Sequence, residues 1–388
     1  MGSPADILCL NCGSSSLKFS IFTLQDEGEF LRQRGAVEGI GLDTGRLEIR
    51  DGRGGALVES RDRSGDHGAA LHRLLDVLPK KGLAELDAVG HRVVHGGPDR
   101  AGPAKIDSAL LEELRSRARM APLHLPQEVR VIEATAARWP ALPQVACFDT
   151  AFHRRMPESA QRYPLPRRLF DEGVRRYGYH GLSYEYVRQA LGEEAHGRVI
   201  IAHLGHGSSL VALRGGQPID TTMGFTPVGG VMMGTRSGDL DPGVLLHLLD
   251  HRGFDSAGLT RLVNEEAGLL GVSGLSADMQ RLLELREQNA HADQAISMYC
   301  GSVRRAIGAL SAELEGLDLL VFTGGIGERA SAVRHEICQG LAYLGIASPE
   351  ADSGATGIGS RVRVVPTNEN LIIARQTRDV LFAPGESG

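Results

Sequence analysis

Cysteine is scarce in this sequence of 388 residues, and its five cysteines do not form a disulfide framework. Cys9 and Cys12 have the C-x-x-C spacing of some zinc and redox sites, but no second pair accompanies them. Cys9 lies in an apolar run, which favours a side chain directed into a core. We therefore expect a structural role for these cysteines rather than a zinc or redox centre.

Long apolar runs and an excess of basic residues are also absent. No run approaches the ~20 apolar residues of a membrane-spanning helix. The first residues lack the basic segment and the apolar core of a signal peptide. The net charge is −6, whereas nucleic-acid-binding domains are usually basic. We therefore expect a cytoplasmic protein that has neither a membrane nor a nucleic acid as partner.

The apolar content is nevertheless sufficient for two hydrophobic cores. Hydrophobic residues make up 42% of the chain and charged residues 23%, which is a globular composition. At about 150 residues per domain, the length corresponds to two or three domains. The 50 glycines fall in short clusters without a G-x-y period, so a collagen-like structure is excluded.

One hairpin pattern occurs twice, half a chain apart. The apolar segments DILCLN and LKFSIF flank a small-residue turn at 12–16, and VIIAHL and LVAL flank a similar turn at 205–209. Apolar strands around a tight Gly/Ser turn predict a β-hairpin. The spacing predicts a duplicated architecture in which each half opens with the same strand pair.

Strand and helix patterns alternate along the rest of the chain, which predicts an α/β fold. Asp107 and Asp241 are placed to cap helices, and Pro242 suits a first helical position. The predicted helices are 107–119, 126–139, 183–191, 241–252, 276–288, 291–315, 334–345 and 369–382. The predicted strands lie in 86–97, 143–149, 317–329 and 361–367. The first and the third of these strands run into glycine loops. A surface loop is expected at 351–360.

The two hairpin turns and the TGGIG segment at 323–327 suit phosphate chemistry. Small residues expose backbone N–H groups to an anion, and the third cluster follows a strand shortly before a helix. Neither the Walker A sequence nor the Rossmann fingerprint is present. Each cluster taken alone is equally compatible with an ordinary turn.

Charged side chains stand at predicted strand ends and in glycine-rich loops. Arg92 and His95 end one strand, and Arg236 lies between two glycines, where a guanidinium typically meets an anion. Asp149 ends a buried strand and suits either an active-site acid or a helix cap. His180 lies in a turn, where a structural role is the alternative. No H-E-x-x-H spacing indicates zinc.

Together these segments resemble the acetate kinase family. The motifs occur in the family's order, from about residue 7 to residue 382, as NCGSSSLKF, GHRVVHGG, APLH, FDTAFH, YGYHG, AHLGHGSS, MGTRSGDLDP, TGGIGE and PTNE. The resemblance implies two duplicated actin-like ATPase domains, as in sugar kinases, Hsp70 and actin, with an interdomain nucleotide cleft. Domain I would comprise residues 1–149 plus 370–388, and domain II residues 150–369. It also implies a homodimer formed through domain II.

The resemblance further implies the reversible reaction of ATP and acetate to ADP and acetyl phosphate, with Mg²⁺ or Mn²⁺. The motifs match residue by residue. Metal positions are Asn11 and Glu369. ATP contacts are Lys18, His203, Leu204, Gly205, His206, Gly207, Asp278, Met279, Gln280, Gly324, Gly325, Ile326, Gly327 and Glu328. Substrate positions are Arg92, Val94, Leu123, Tyr179 and Pro227, and catalytic positions are Asp149, His180, Arg236, Arg92 and His124.

The chemistry of acetate is consistent with these roles. Acetate is ionised at pH 7, so the nucleophile needs no deprotonation, and catalysis should consist of positioning and charge stabilisation. We therefore expect Asp149 to hold the metal shell or to orient Arg236 rather than to act as a base.

Six positions depart from the family's motifs at the edges of the two pockets. They are Tyr184 in place of His, His206 and Leu125 in place of Asn, Tyr179 in place of Phe, Gly229 in place of Glu, and Gln280 in place of a basic residue. The residues matched to phosphoryl transfer itself are retained.

Four alternatives differ in substrate or activity. Propionate or butyrate kinase is the nearest, because one methylene changes selectivity by only ~10–200-fold. A pyrophosphate-linked relative is less favoured, since the glycines at 324–327 leave room for adenosine. A non-catalytic nucleotide-binding clamshell would be favoured by loss of Arg92, Arg236 or Asp149, all of which are present. A sugar kinase is disfavoured because Arg92 suits a carboxylate better than a hydroxyl.

Overall fold

The computed structural model describes residues 4–13, 15–61, 63–78, 86–121, 124–346 and 361–382. The chain divides into two compact units, which we call unit 1 (Met1–Phe152 with Asn368–Gly388) and unit 2 (His153–Thr367). The sequence-based borders after residues 149 and 369 thus lie after 152 and 367 in the structure. Leu123 and the expected loop at 351–360 lie outside the described residues.

Unit 1 is built on a sheet of eight strands in the order β5-β4-β3-β2-β1-β6-β8-β7. The strands are β1 (Ala5–Cys12), β2 (Ser16–Gln25), β3 (Gly28–Glu38), β4 (Arg46–Asp51), β5 (Ala56–Arg61), β6 (Ala88–Val93), β7 (Ala104–Lys105) and β8 (Gln144–Phe148). Its helices are α1 (His67–Val77), α2 (Ser108–Ser116), α3 (Leu125–Arg138) and α14 (Glu369–Phe382), and 3-10 helices lie at Ala118–Met120 and Asp149–Arg155.

Unit 2 is built on a sheet of five strands in the order β11-β10-β9-β12-β13. The strands are β9 (Arg198–Leu204), β10 (Ser208–Arg214), β11 (Gln217–Thr221), β12 (Leu319–Thr323) and β13 (Val362–Val364). The helices are α4 (Glu158–Gln161), α5 (Arg167–Asp171), α6 (Gly181–Leu191), α7 (Pro242–His251), α8 (Ser256–Arg261), α9 (Gly268–Ser273), α10 (Met279–Leu285), α11 (Ala290–Glu313), α12 (Gly324–Arg329) and α13 (Ser331–Gln339). Shorter turns of helix lie at Gly192–His196, Leu262–Glu266 and Ala342–Leu344.

Five strands of the unit 1 sheet have the same topology as the unit 2 sheet, which confirms the predicted duplication. In unit 1, β1, β2 and β3 pair antiparallel, and β6 and β8 join β1 in parallel on its other side. In unit 2, β9, β10 and β11 pair antiparallel, and β12 and β13 join β9 in parallel. The first two strands of each sheet therefore form the predicted hairpin, and each sheet aligns the carboxyl ends of three parallel strands.

Helix ends follow the predicted caps in several places. Asp107 accepts a hydrogen bond from the N–H of Leu110 at the start of α2, and Asp241 caps α7 with Pro242 at its first position. The TGGIG segment differs from the predicted loop, because α12 begins at Gly324 directly after β12. Gly324 has a φ of 78°, which lets the chain turn from strand into helix without a connection.

The cores of the units lie between sheet and helices. All five cysteines are free and buried, and burial raises the pKa of the Cys9 thiol. In unit 2, α11 carries a long buried stripe that includes Tyr299, Val303 and Ile307. Among the described residues, no helix is long and apolar enough to cross a bilayer.

The last helix, α14, packs against the strands of unit 1, and Gly90 on β6 marks the close approach. A Cβ added at Gly90 would clash with Thr377 Oγ1 and would lie 2.5 Å from Ile373 Cγ2. Glycine at this position therefore sets how near α14, and Glu369 at its start, comes to the sheet.

We expect Gly90→Ala to lower the free energy of unfolding by roughly 1–3 kcal/mol, because the methyl group overpacks the interface between β6 and α14. Urea unfolding followed by circular dichroism measures the loss. Gly102→Ala is the matched control, since a Cβ there meets no atom within 4 Å. Equal stability of the two variants would contradict the close approach.

Candidate active site

Four polar side chains of unit 1 meet at the carboxyl ends of its parallel strands. Asn11 is near the end of β1, Arg92 near the end of β6, Asp149 directly follows β8, and Glu369 begins α14. In open α/β sheets, ligands bind at this edge. We call these four residues the Arg92 cluster.

Arg92 holds the cluster together. Its Nη2 and Nε donate to Asp149 Oδ2 over 2.6 and 3.1 Å, and its Nη1 donates to Asn11 Oδ1 over 3.1 Å. Asn11 Nδ2 in turn donates to Glu369 Oε2 over 2.8 Å, and Arg92 Nη1 lies 3.8 Å from the same oxygen. The sequence resemblance placed these residues in three different roles, and the structure connects them directly.

The charges of the cluster are strongly coupled, because Asp149 is fully buried and the Arg92 side chain is only 14% exposed. Burial opposes the guanidinium charge, but the carboxylates of Asp149 and Glu369 outweigh it and raise the pKa of Arg92. Two carboxylates against one guanidinium leave a formal excess of one negative charge. The cluster can therefore accept a cation as well as present Arg92 to an anion.

Glu128 is a buried carboxyl beside this cluster that the sequence analysis missed. It lies on α3, is 2% exposed, and accepts the N–H of Val94 with both oxygens, at 3.1 and 3.3 Å. Burial raises its pKa to about 8, although the Val94 N–H and Arg92 act in the opposite direction. A glutamate three residues after Leu125 and four before Ile132 falls on the apolar stripe of α3, and that pattern could have identified it.

Three further predicted residues of unit 1 lie on or beside neighbouring elements. Lys18 is exposed on β2, where it pairs in register with Asn11. His124 immediately precedes α3, and its side chain does not cap the helix. Val94 is buried, and its backbone is held by Glu128 as described above.

In unit 2, the turn between β9 and β10 gathers a second group of predicted residues. His180 precedes α6 in the left-handed conformation, and its Nδ1 lies 2.8 Å from Ser209 Oγ. Its ring stacks on that of His203, with centroids 4.2 Å apart. A Cβ added at Gly207 would lie 3.3 Å from Arg236 Nη1 and 3.4 Å from His180 Nε2. His180 and Arg236 therefore flank the turn side by side.

Arg236 and the apolar positions of unit 2 are tied to the backbone. Arg236 Nη1 donates to the carbonyl of Pro227 over 3.2 Å, and the Tyr179 hydroxyl donates to the carbonyl of Phe225 over 2.8 Å. The hydroxyl that distinguishes Tyr179 from the family's phenylalanine is thus used to fix the segment before Pro227.

The remaining predicted nucleotide contacts lie around the same turn and at helix starts. A Cβ added at Gly205 would lie 3.9 Å from the N atom of Gly325, so the start of α12 is close to the turn. Burial, and then Arg236, lower the pKa of His206. Asp278 caps α10 by accepting a hydrogen bond from the Gln280 N–H. This helix, Met279–Leu285, is shorter than the helix predicted at 276–288.

Glu328 has a structural contact in this arrangement. Its Oε1 accepts the N–H groups of Gly324 and Thr367 over 3.0 and 3.1 Å, which fixes the start of α12. Its predicted contact with ATP stays a prediction. Within the described ranges, no three His, Cys, Asp or Glu residues form a metal-binding group.

We expect Glu128→Gln to weaken the pH dependence of stability. A carboxyl whose pKa is raised in the folded state is protonated there while the unfolded chain has lost its proton, so stability falls as pH rises from about 5 to 8. In the wild type, the titration of Glu128 alone should lower the free energy of unfolding by ~3 kcal/mol between pH 5.5 and pH 8.0. The variant should lack that loss.

Urea unfolding of both proteins at pH 5.5 and 8.0 measures the difference. Glu133→Gln, an exposed position on the same helix, is the matched control and should follow the wild type. Parallel pH dependence in wild type and Glu128→Gln would show that Glu128 is ionised in the folded protein.

A family model described as "Acetokinase family" matches residues 6–375. An acetate kinase from Rhodopseudomonas palustris is 43% identical over 390 residues, which cover 95% of this chain and 96% of the relative. The crystal structure of Porphyromonas gingivalis acetate kinase has a TM-score of 0.84 at 37% identity, and that of a propionate kinase from Francisella tularensis 0.89 at 35%. Each covers 97% of this chain and 100% of the solved one. The fold, the motifs in their order and these likenesses together place the chain in the acetokinase family.

Proposed function

We propose that this protein is an acetate kinase, which reversibly transfers the terminal phosphoryl group of ATP to acetate. The observation that carries the proposal is Arg92, fixed by Asp149 and Asn11 at the ligand-binding edge of the unit 1 sheet. Its three hydrogen bonds among the described residues use three of five N–H groups, so two are left for a carboxylate. The acetate kinases among the similar proteins support the choice of substrate.

In the proposed reaction, Arg92 orients the acetate carboxylate. An oxygen of acetate attacks the γ-phosphorus of ATP, and the new O–P bond forms as the bond from phosphorus to the bridging oxygen breaks, which releases ADP. Acetate is already ionised, so no base is needed. In this proposal Asp149 acts by holding Arg92, and the two hydrogen bonds that Asp149 Oδ2 accepts from Arg92 support that role.

Unit 2 supplies the groups for the phosphates in this proposal. His180 and Arg236 stabilise the charge of the transferring phosphoryl group, since both flank the glycine turn. Backbone N–H groups at 206–207 and 325–327 donate to the remaining phosphate oxygens, because glycine allows close approach. The N–H groups of Gly205 and Gly324 are already bonded to Ser208 Oγ and Glu328 Oε1.

Asn11 and Glu369 are suited to hold Mg²⁺. Both present oxygen donors, and Mg²⁺ in proteins uses one or two carboxylates together with substrate phosphates rather than a complete protein cage. The formal negative excess of the Arg92 cluster fits a cation. The ion, when bound, would neutralise charge on the phosphate oxygens.

Propionate kinase is the second candidate. The solved propionate kinase from Francisella tularensis has a TM-score of 0.89 to this chain. The two functions differ by one methylene, so the space available to the acyl chain decides between them.

We also propose that the protein is a cytoplasmic homodimer, formed through α7. Although α7 is rich in leucine, none of its residues is buried. Leu240, Val244, Leu246 and Leu249 are 40–59% exposed. An apolar patch of this kind indicates a partner surface, and the resemblance points to a second copy of the chain.

The function is tested by trapping acyl phosphate with hydroxylamine in the presence of ATP, Mg²⁺ and acetate, propionate or butyrate. We expect hydroxamate from acetate at the highest kcat/KM. Arg92→Lys should lower kcat/KM for acetate roughly 10- to 100-fold, because a charged hydrogen-bonding fork is lost. The KM for ATP should stay within about twofold.

Arg214→Lys is the matched control, since Arg214 is half-exposed at the far end of β10. It should behave as the wild type. Absence of hydroxamate from every carboxylate would overturn the proposed function, and a higher kcat/KM for propionate would select the second candidate.

The dimer is tested by Leu246→Asp combined with Leu249→Asp. Burying two carboxylates in an apolar interface is costly, so the variant should elute with the mass of one chain, 41.5 kDa. Size-exclusion chromatography with light scattering gives the mass. Leu42→Asp, 58% exposed in unit 1, should leave the dimer intact. A monomeric wild type would contradict the proposal.

A further inference from the structure

Three polar groups of unit 2 form a hydrogen-bonded chain that ends on His180. The Tyr184 hydroxyl contacts Ser209 Oγ, and Ser209 Oγ lies 2.8 Å from His180 Nδ1. Tyr184 and Ser209 are fully buried. Tyr184 is one of the six positions that depart from the family's motifs.

The chemistry of the three groups favours one direction of donation. A phenol is a stronger acid than an alcohol and is therefore the better donor, so Tyr184 O–H donates to Ser209 Oγ. A hydroxyl that accepts a hydrogen bond is polarised to donate onward. Ser209 O–H then donates to Nδ1 of His180, which must be the unprotonated nitrogen of a neutral ring. The ring proton of His180 consequently lies on Nε2.

The tautomer of His180 matters because of where its Nε2 atom lies. Nε2 is the ring atom that faces Gly207, next to Arg236 Nη1. A proton there makes His180 a hydrogen-bond donor beside the guanidinium. The opposite tautomer would present a lone pair at the same place, which repels phosphate oxygens.

The neighbouring imidazole is held in a similar way. His203 Nδ1 lies 2.8 Å from Ser183 Oγ, and its ring stacks on His180 at an interplanar angle of 20°. Stacking restrains the plane of the His180 ring, whereas the hydroxyl of Ser209 contacts its Nδ1. Tilt and tautomer are thus set by separate contacts.

We propose that Tyr184 is a positioning residue, which acts through Ser209 to hold His180 in the tautomer that donates from Nε2 to the transferring phosphoryl group. The inference rests on the proposed function for its catalytic consequence. The tautomer itself is a property of the protein without substrate and can be tested separately.

The first test is the tautomer of His180 in the wild type and in Tyr184→Phe. Two-bond ¹H–¹⁵N spectra of ¹⁵N-histidine protein at pH 8.5 report which ring nitrogen carries the proton, and His180→Gln identifies the signal. We expect the Nε2–H tautomer in the wild type and a mixture in Tyr184→Phe. An unchanged tautomer in Tyr184→Phe would overturn the inference, whether or not the protein proves to be a kinase.

The second test is the separation of kcat from KM in the hydroxylamine assay. Tyr184→Phe keeps the ring but removes the hydrogen bond that orients Ser209. It should lower kcat about 10-fold, which corresponds to the net free energy of about one hydrogen bond, and both KM values should stay within about twofold. Ser209→Ala breaks the same chain one link nearer to His180 and serves if Tyr184→Phe does not fold. The double variant should be no slower than Ser209→Ala, because both changes remove one effect.

Tyr177→Phe is the matched control. Tyr177 is a buried tyrosine of unit 2 whose hydroxyl donates to the carbonyl of Gly173 over 2.8 Å. It should keep the wild-type kcat and tautomer. An equal loss of kcat in Tyr177→Phe and Tyr184→Phe, or additive losses in the double variant, would contradict the proposal. If no variant or wild type yields hydroxamate while the tautomer changes as expected, the proposed function fails and the positioning of His180 stands.

Discussion

The ion pair between Arg92 and Asp149 is the interaction on which unit 1 depends. Removing one partner of a buried ion pair costs about 3–5 kcal/mol, because the other charge is left in a medium that solvates it poorly. Both residues stand where parallel strands end, so the register of β1, β6 and β8 determines whether they meet. Asn11 and Glu369 complete the arrangement from β1 and α14. The sheet thus serves chiefly to place one guanidinium and its counter-charges.

Unit 2 uses the same topology for different chemistry. At the corresponding edge it has a glycine turn, two stacked imidazoles and Arg236 in place of a carboxylate cluster. The two copies of the shared frame therefore carry different side chains at this edge. Unit 1 presents a cation within an acidic setting, and unit 2 presents donors and exposed backbone. This division follows the two kinds of anion in the proposed reaction, a small carboxylate and a polyphosphate.

Much of this architecture could be predicted from sequence, because the decisive signals are local. The N-cap residues Asp107 and Asp241 and the final helix appear in the structure at the predicted positions. The strand-end positions of Arg92 and Asp149 were also evident. The start of α12 could not be predicted, because glycine has a low helix propensity and a run of glycines does not indicate a helix at Gly324. Contacts such as Glu128 with Val94 join distant segments, and no local pattern specifies them.

The discontinuity of unit 1 has a consequence for synthesis. Unit 2 is one contiguous stretch, His153–Thr367, and domains generally fold as units during synthesis. Unit 1 is discontinuous, and it lacks α14 and Glu369 until the segment after unit 2 has been translated. The strands β1 and β6 are therefore synthesised before α14, and the surface on which α14 packs stays exposed until then. A nascent chain accordingly lacks Glu369 of the Arg92 cluster until α14 has been synthesised.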